Sequence, residues 1–119
     1  FPMIESLKGI ANLPAILGLE GVTGTILGVF DLALDIGNLD HGALAAETLT
    51  TAFYEDKLRQ VLKTCQTAGK AAGIGGFPLE GLARWAKEGY QMLLLPGYIR
   101  DNNVNEQRLR IKEVKSLLG

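Results

Sequence analysis

The sequence has little of several residue types, and each shortage excludes a class of protein. A single cysteine, Cys65, cannot form a disulfide within the chain, which excludes a disulfide-stabilised scaffold and indicates a reducing compartment such as the cytoplasm. The single histidine, His41, has no neighbouring cysteine or second histidine with which to form a zinc cluster. No apolar run reaches the roughly 20 residues of a membrane span. The formal net charge of −1 gives no indication of nucleic acid or an anionic membrane as a partner.

What remains is typical of one globular α/β domain. The chain has 119 residues, of which 47% are hydrophobic and 21% are charged. Strand-like and helix-like segments alternate, which predicts a parallel sheet with right-handed crossovers. A doubly wound sheet and part of a (β/α)₈ barrel both fit this order. The stretch 73–76 lacks the GxGxxG spacing, so a nucleotide-binding fold gets little support.

The hydrophobic pattern gives the approximate bounds of the elements. Strands are predicted over 1–5, 23–29, 70–75 and 91–95, and the last is expected to be buried on both faces. Helices are predicted after Ser6, from Pro14 to Gly18, over 32–36, over 49–68, over 78–88 and over 104–118, with a loop at 37–47. Because the chain begins with Phe1 inside a strand-like segment, we expect it to be a fragment of a longer protein.

Two carboxylates, Glu5 and Asp31, follow successive strands of this pattern. One helical crossover joins these strands, so both acidic residues are expected at the same end of a parallel sheet, where neighbouring strands lie about 4.8 Å apart. A hard divalent cation such as Mg²⁺ takes one or two protein carboxylates and fills its shell with water and substrate oxygens. The turn from Gly28 to Asp31 leads into a helix N-terminus, whose free N–H groups suit an anionic substrate group.

Each of these residues also has an ordinary structural interpretation. Glu5 could be an exposed carboxylate at a strand end, and Asp31 could be the N-cap of the helical turn that follows. His41 is more simply a loop or interface residue. Cys65 falls on the apolar stripe of a helix and is expected to be a buried, unreactive thiol. Trp85 is expected to pack a helix against the sheet.

The residues around both carboxylates resemble the HpcH/HpaI aldolase/citrate lyase family. The resemblance lies in the segments Met3–Ser6, Gly21–Gly24, Leu27–Gly37 and Ala68–Ile74. Members of that family are (β/α)₈ barrels that bind Mg²⁺, Mn²⁺ or a similar ion through a Glu and an Asp. They cleave or form carbon–carbon bonds through a pyruvate-type enolate.

The resemblance assigns roles to five residues of this chain. It implies that Glu5 and Asp31 are the metal ligands, at the ends of barrel strands five and six. It further implies that the backbone at Phe30 and Asp31, after the turn at Gly28, meets the carboxylate of a 2-oxo acid, and that Gly75 lines the pocket for the second substrate. The family's catalytic Arg and His come from earlier strands, so no catalytic residue of that kind is expected in this chain.

Several positions depart from the family pattern and leave the carbonyl partner open. Met3 stands where aldolases of the group often have Gln, and Val29 and Phe30 replace a Pro and a small residue. Tyr98 replaces an acidic residue after the last strand. If the second strand stays regular up to Asp31, Phe30 should point away from that carboxylate and pack under the flanking helices.

The resemblance implies that residues 1–119 are the C-terminal half of a single (β/α)₈ TIM-barrel domain, with about four parallel strands and flanking helices. It implies a cytoplasmic, metal-dependent class II aldolase that uses Mg²⁺, or Mn²⁺ or Co²⁺, and a small 2-oxo acid of the pyruvate or oxaloacetate type. The full-length protein is expected to be a homo-oligomer that needs neither nucleic acid nor membrane, and the chain alone is expected to be inactive. The alternatives are a non-catalytic or truncated fragment that serves assembly, and a related enolate enzyme of the macrophomate synthase or citrate lyase kind.

Overall fold

A computed structural model describes residues 1–37, 51–96 and 104–119 of the chain. Most of the predicted 37–47 loop with His41, the predicted helix start at Leu49, and Tyr98 lie outside these residues. The described strands are β1 (Met3–Ile4), β2 (Gly24–Leu27), β3 (Ala71–Ile74) and β4 (Met92–Leu93). The described helices are α1 (Leu7–Leu17), α2 (Val29–Gly37), α3 (Ala52–Thr67), α4 (Leu79–Glu88) and α5 (Val104–Leu118). No helix among the described residues is long and apolar enough to cross a membrane.

The strands form one parallel sheet in the order β1-β2-β3-β4. The predicted α/β class, with four parallel strands and flanking helices, is therefore confirmed. The strands are in a common register, in which Met3 pairs with Ile26, Ile26 with Gly73, and Gly73 with Met92. Because the strands are parallel, the carboxyl ends of all four strands lie at the same end of the sheet.

Side chains alternate between the two faces of the sheet, and the faces differ strongly in burial. Ile4, Leu27 and Ile74 belong to the hydrophobic core, and each is at most 2% exposed. The core also contains residues of α1, α2, α3 and α4, so these helices cover that face. Met3 and Ile26 alternate with the core residues and are less buried. The opposite face is therefore the open one.

The sequence predicted that a second helix begins at Pro14, and this prediction is wrong. Residues Leu7–Leu17 form one continuous helix, and Pro14 lies inside it. The Ser6 side chain caps the helix as predicted, because its hydroxyl accepts a hydrogen bond from Gly9 N–H at 3.0 Å. Proline removes one intrahelical donor. The helix nevertheless continues beyond Pro14, because burial of Ile10, Leu13 and Leu17 on one face stabilises it.

The boundary between β2 and α2 lies earlier than predicted. The strand ends at Leu27 and the helix begins at Val29, so Asp31 lies in the first turn of α2 instead of at the end of a strand. The first backbone bond of the helix runs from Leu32 N–H to the Gly28 carbonyl. The alternative role of Asp31 as N-cap of a later turn is therefore wrong, and the predicted 32–36 turn is the middle of a longer helix.

The remaining differences concern which side chains are buried. The hydrophobic pattern over 49–68 predicts an apolar stripe that includes Phe53, but on α3 Tyr54 is fully buried and Phe53 is 53% exposed. Tyr54 fits the 54-58-61-65 spacing of the stripe, and burial is acceptable because its hydroxyl donates to the Val29 carbonyl at 2.9 Å. The β4 residues are only half-buried, because β4 is an edge strand. On α5 only Val114 is buried, and Leu109 is 64% exposed.

Candidate functional site

Glu5 and Asp31 line one cavity at the end of the sheet where the strands have their carboxyl ends. Glu5 follows β1 directly, and Asp31 stands in the first turn after β2. The cavity has a volume of about 180 Å³, and Gly28, Phe30 and Gly75 also line it. The structure thus brings together all five residues that the sequence singled out. A larger cavity of about 390 Å³ lies between α1 and α3, and the described residues that line it include neither a carboxylate nor a histidine.

Gly28 explains how the Glu5 side chain reaches across the end of β2. A Cβ atom at position 28 would lie 2.5 Å from Glu5 Cγ and 2.7 Å from Glu5 Oε1, which is closer than real Cβ contacts. The Glu5 carboxyl group therefore occupies the space that a side chain at position 28 would fill. Only glycine permits this close approach. The Glu5 carboxylate thereby lies beside Gly28, in the cavity that Asp31 also lines.

The first turn of α2 adds hydrogen-bond donors to the two carboxylates. The first N–H groups of a helix, here at Val29, Phe30 and Asp31, have no acceptor within the helix. Such groups, together with the helix dipole, bind anionic groups. The cavity therefore combines two carboxylates, which attract a cation, with backbone donors that suit a carboxylate ligand of that cation.

This donor set fits a hard divalent cation that is only partly coordinated by protein. In the described residues no group of three or more His, Cys, Asp and Glu side chains is placed to hold a metal. Mg²⁺ and similar ions are commonly held by one or two carboxylates, with water and substrate oxygens as the other ligands. Glu5 and Asp31 supply two such carboxylates. The absence of a side chain at Gly28 leaves room for the Glu5 carboxylate.

Phe30 does not pack under the helices, so the prediction for its side chain is wrong. The backbone is already helical at Phe30, and the strand alternation that would have turned the ring away ends at Leu27. The ring is 52% exposed and lines the cavity. Its Cε2 atom lies 3.1 Å from the Cβ position of Gly76, so the ring borders the end of β3.

Two residues that shape the cavity, Gly76 and Leu94, were not predicted from the sequence. Leu94 follows β4, and its Cβ lies 2.9 Å from the Cβ position of Gly75. Gly76 adopts φ of +77°, which favours glycine and turns the chain away after β3. The glycine pair directly after a strand was the available signal. Leu94 gave none, because it stands in an unbroken apolar run.

Cys65 and Trp85 lie outside the cavity, and their surroundings indicate packing roles. Burial raises the pKa of the Cys65 thiol to about 11, as expected for an unreactive core thiol. Trp85 packs edge-on against Tyr90, and the Arg59 and Arg84 guanidinium groups lie 5.5 and 5.1 Å from its ring centroid. These contacts agree with the predicted packing role of Trp85.

Curated proteins similar to this chain are aldolases. The chain is 39% identical over 71 residues to a hydroxypyruvate/pyruvate aldolase of Pseudomonas aeruginosa. This match covers 60% of this chain and 24% of that protein. It is 38% identical over 71 residues to a 4-hydroxy-2-oxo-heptane-1,7-dioate aldolase of Klebsiella pneumoniae, with the same coverage. The chain thus spans about a quarter of the length of these relatives. No family model matches it.

Solved structures extend the similarity to nearly the whole chain. An HpcH/HpaI aldolase/citrate lyase family protein from Burkholderia cenocepacia matches with a TM-score of 0.68 at 22% identity, over 95% of this chain and 41% of that one. An HpcH/HpaI aldolase from Desulfitobacterium hafniense matches with a TM-score of 0.64 at 25% identity, over 97% and 40%. Macrophomate synthase matches with a TM-score of 0.62 at 20% identity, over 94% and 39%.

These matches confirm the predicted α/β fold, in which a parallel four-stranded sheet with flanking helices corresponds to part of a (β/α)₈ barrel. The chain corresponds to about two fifths of each matched structure. Over the part that it covers, the chain resembles the HpcH/HpaI aldolase/citrate lyase family, as its sequence predicted.

Proposed function

We propose that this chain is the C-terminal half of a metal-dependent 2-oxo acid aldolase and carries the metal-binding end of its active site. The observation that carries the proposal is the shared cavity of Glu5 and Asp31, beside the first turn of α2. The names of the curated relatives support the aldolase class. The cofactor in this proposal is Mg²⁺, or Mn²⁺ or Co²⁺.

The residues of this chain would bind and orient the substrate. Glu5 and Asp31 would hold the cation, and the N–H groups at the start of α2 would bind the substrate carboxylate. A divalent cation bound there would act as a Lewis acid toward the oxygens of a pyruvate-type substrate. Gly75, against which the Cβ of Leu94 packs closely, would form part of the wall that meets the carbonyl partner. The exposed Phe30 ring borders the same space.

The proposal assigns the proton-transfer chemistry to residues outside this chain. In the described residues the cavity lining contains no Arg or His side chain. A 2-oxo acid aldolase needs a cation against the developing negative charge and a base for the hydroxyl proton of the cleaved alcohol. We propose that the N-terminal half of the barrel supplies an Arg and a His-containing base, and that residues 1–119 alone are inactive.

Metal titration of the full-length protein tests the proposal. Wild type should bind Mn²⁺, and Glu5→Gln and Asp31→Asn should each weaken binding by a hundredfold or so, since even loss of a residue that only supports a ligand often costs 10–100-fold. Glu20→Gln is the matched control, because Glu20 is exposed in the turn before β2, away from the cavity. Unchanged Mn²⁺ affinity in both ligand variants would refute the metal site.

A substrate panel then separates the aldolase from its alternatives. With Mg²⁺ present, the full-length protein should release pyruvate from at least one 4-hydroxy-2-oxo acid, and Glu5→Gln should abolish the release. Metal binding without any such cleavage would favour a related enolate enzyme. A protein that neither binds metal nor cleaves would favour the non-catalytic fragment.

A further inference from the structure

Asp35 connects the two segments that carry Glu5 and Asp31. Its Oδ2 atom accepts a hydrogen bond of 2.6 Å from the Leu7 N–H. Leu7 is the first residue of α1 and stands two positions after Glu5. Asp35 stands on α2, one helical turn after Asp31. This bond therefore joins the start of α1 to the last turn of α2.

The Leu7 N–H needs an acceptor from outside its own helix. It is one of the first N–H groups of α1, which have no acceptor within the helix. The Ser6 hydroxyl accepts the N–H of Gly9, and Asp35 accepts the N–H of Leu7. The first turn of α1 has no acidic residue of its own. Asp35 thus supplies, from another helix, the negative group that a helix N-terminus favours.

The other end of the same helix is held independently. The buried Tyr54 hydroxyl donates to the carbonyl of Val29, the first residue of α2. Tyr54 fixes the start of α2 against α3, so α2 is anchored to the core. Sheet pairing fixes the chain before Glu5, since the Gly28 N–H donates to the Ile4 carbonyl at 2.9 Å. The bond from Asp35 to Leu7 fixes the chain after Glu5 to α2, the helix on which Asp31 lies.

We propose that Asp35 is a positioning residue, which acts through the Leu7 N–H to hold Glu5 at the separation from Asp31 that a shared cation requires. This inference rests on the proposed metal site. It assigns to Asp35 no contact with cation or substrate. Because Asp35 is exposed, water can replace it as acceptor for the Leu7 N–H, so its removal should affect geometry more than stability.

Mn²⁺ titration of full-length variants tests this inference. Asp35→Ala should weaken Mn²⁺ binding about tenfold, the lower end of the range for residues that support a metal ligand. Asp35→Asn keeps an acceptor oxygen for the Leu7 N–H and should stay within about threefold of wild type. Asp56→Ala is the control for a lost exposed carboxylate, since Asp56 is 74% exposed on α3, and it should have no effect.

A double-mutant cycle distinguishes positioning of Glu5 from other effects. In the Glu5→Gln background, Asp35→Ala should cause no further loss of Mn²⁺ affinity, because the group that it positions is gone. Equal losses in Asp35→Asn and Asp35→Ala would show that the charge matters and would overturn the positioning role. Additive losses with Glu5→Gln would overturn it as well.

The outcomes also separate this inference from the proposed function. If wild type binds no Mn²⁺, the proposed metal site fails and the inference fails with it. If wild type binds Mn²⁺, Glu5→Gln weakens binding and Asp35→Ala does not, the metal site stands and the inference alone is wrong.

Discussion

Glu5 can lie across the end of β2 only because the residue beneath it has no side chain. A methyl group at position 28 would meet Glu5 Cγ at 2.5 Å. The flexible Glu5 side chain can move away, and the Gly28 N–H would still donate to the Ile4 carbonyl at 2.9 Å. A substitution at Gly28 therefore acts on the site more than on the sheet.

We expect Gly28→Ala to weaken Mn²⁺ binding nearly as much as Glu5→Gln and to lower the melting temperature only slightly. The reason is displacement of the Glu5 carboxylate with little change in backbone pairing. Titration and thermal unfolding of the full-length variant measure the two effects. Gly18→Ala is the control, because a Cβ there would meet nothing closer than 3.4 Å. Wild-type Mn²⁺ affinity in Gly28→Ala would show that Glu5 is not held over Gly28.

The grouping of the candidate site residues at one cavity was predictable from the sequence, but the direction of one side chain was not. Glu5, Asp31 and Gly75 line one cavity as expected, because strand order decides which end of the sheet each lies at, although Asp31 lies in a helical turn and not at a strand end. The direction of Phe30 depends on whether residue 30 is still extended or already helical. A one-residue interval between β2 and α2 decides this, and element ends are the least predictable part of a sequence pattern.

At the scale of elements, α3 and α4 are joined by a cluster of charged side chains over Trp85. Glu55 accepts two hydrogen bonds of 2.8 Å from Arg84 and one of 3.1 Å from Arg59. Glu88 of α4 accepts one of 3.0 Å from Arg59. The hydrogen bond from Arg84 is the main reason that the pKa of Glu55 falls to about 2. The cluster therefore links the two helices while Glu55 is ionised.

This cluster predicts a pH-dependent contribution to stability. The folded-state pKa of Glu55 is about 2 and the unfolded value about 4.5, so its contribution is complete above pH 4.5 and is lost as the pH falls toward 2. We expect Glu55→Gln to lower the free energy of unfolding at pH 7 by about 1 kcal/mol, a modest value because the pairs are partly exposed. The difference from wild type should shrink between pH 4.5 and pH 2.

Urea unfolding of both proteins at pH 7 and pH 2.5 measures this difference. Asp56→Asn is the control, because Asp56 is exposed and lies 3.7 Å from Arg59. A difference that persists unchanged at pH 2.5 would mean that Glu55 contributes through packing and not through its charge.

Element order was predicted well, whereas burial at the margins of the fold was not. The alternation of strand and helix signals is local, and glycines such as Gly69 and Gly89, both with positive φ, mark helix ends within a few residues. The exposure of Phe53, Leu94 and Leu109 depends on neighbouring elements, and a hydrophobic pattern does not contain that information.

At the scale of the whole molecule, the sheet formed by the described residues has two edge strands, β1 and β4. The Ile26 N–H donates to the Pro2 carbonyl and the Gly28 N–H to the Ile4 carbonyl. By the alternation of a parallel ladder, the N–H and C=O groups of Met3 face the other side, at the open edge. Met3 is 54% exposed there, and Leu94, after the other edge strand, is 42% exposed. Unpaired edges with apolar side chains promote association.

We therefore expect residues 1–119, expressed alone, to associate as the concentration rises and to show no aldol cleavage. In the proposed full-length barrel both edges are paired, because barrel closure leaves no free edge. Sedimentation velocity over a hundredfold concentration range measures the association, and a pyruvate-release assay with Mg²⁺ measures the activity. Met3→Lys should reduce the association, since a charged side chain on an edge strand opposes further pairing. Leu19→Lys is the matched control, because Leu19 is 60% exposed in the turn after α1, away from both edge strands, and should leave the association unchanged. A monomeric, active 1–119 chain would show that the site does not need the other half of a barrel.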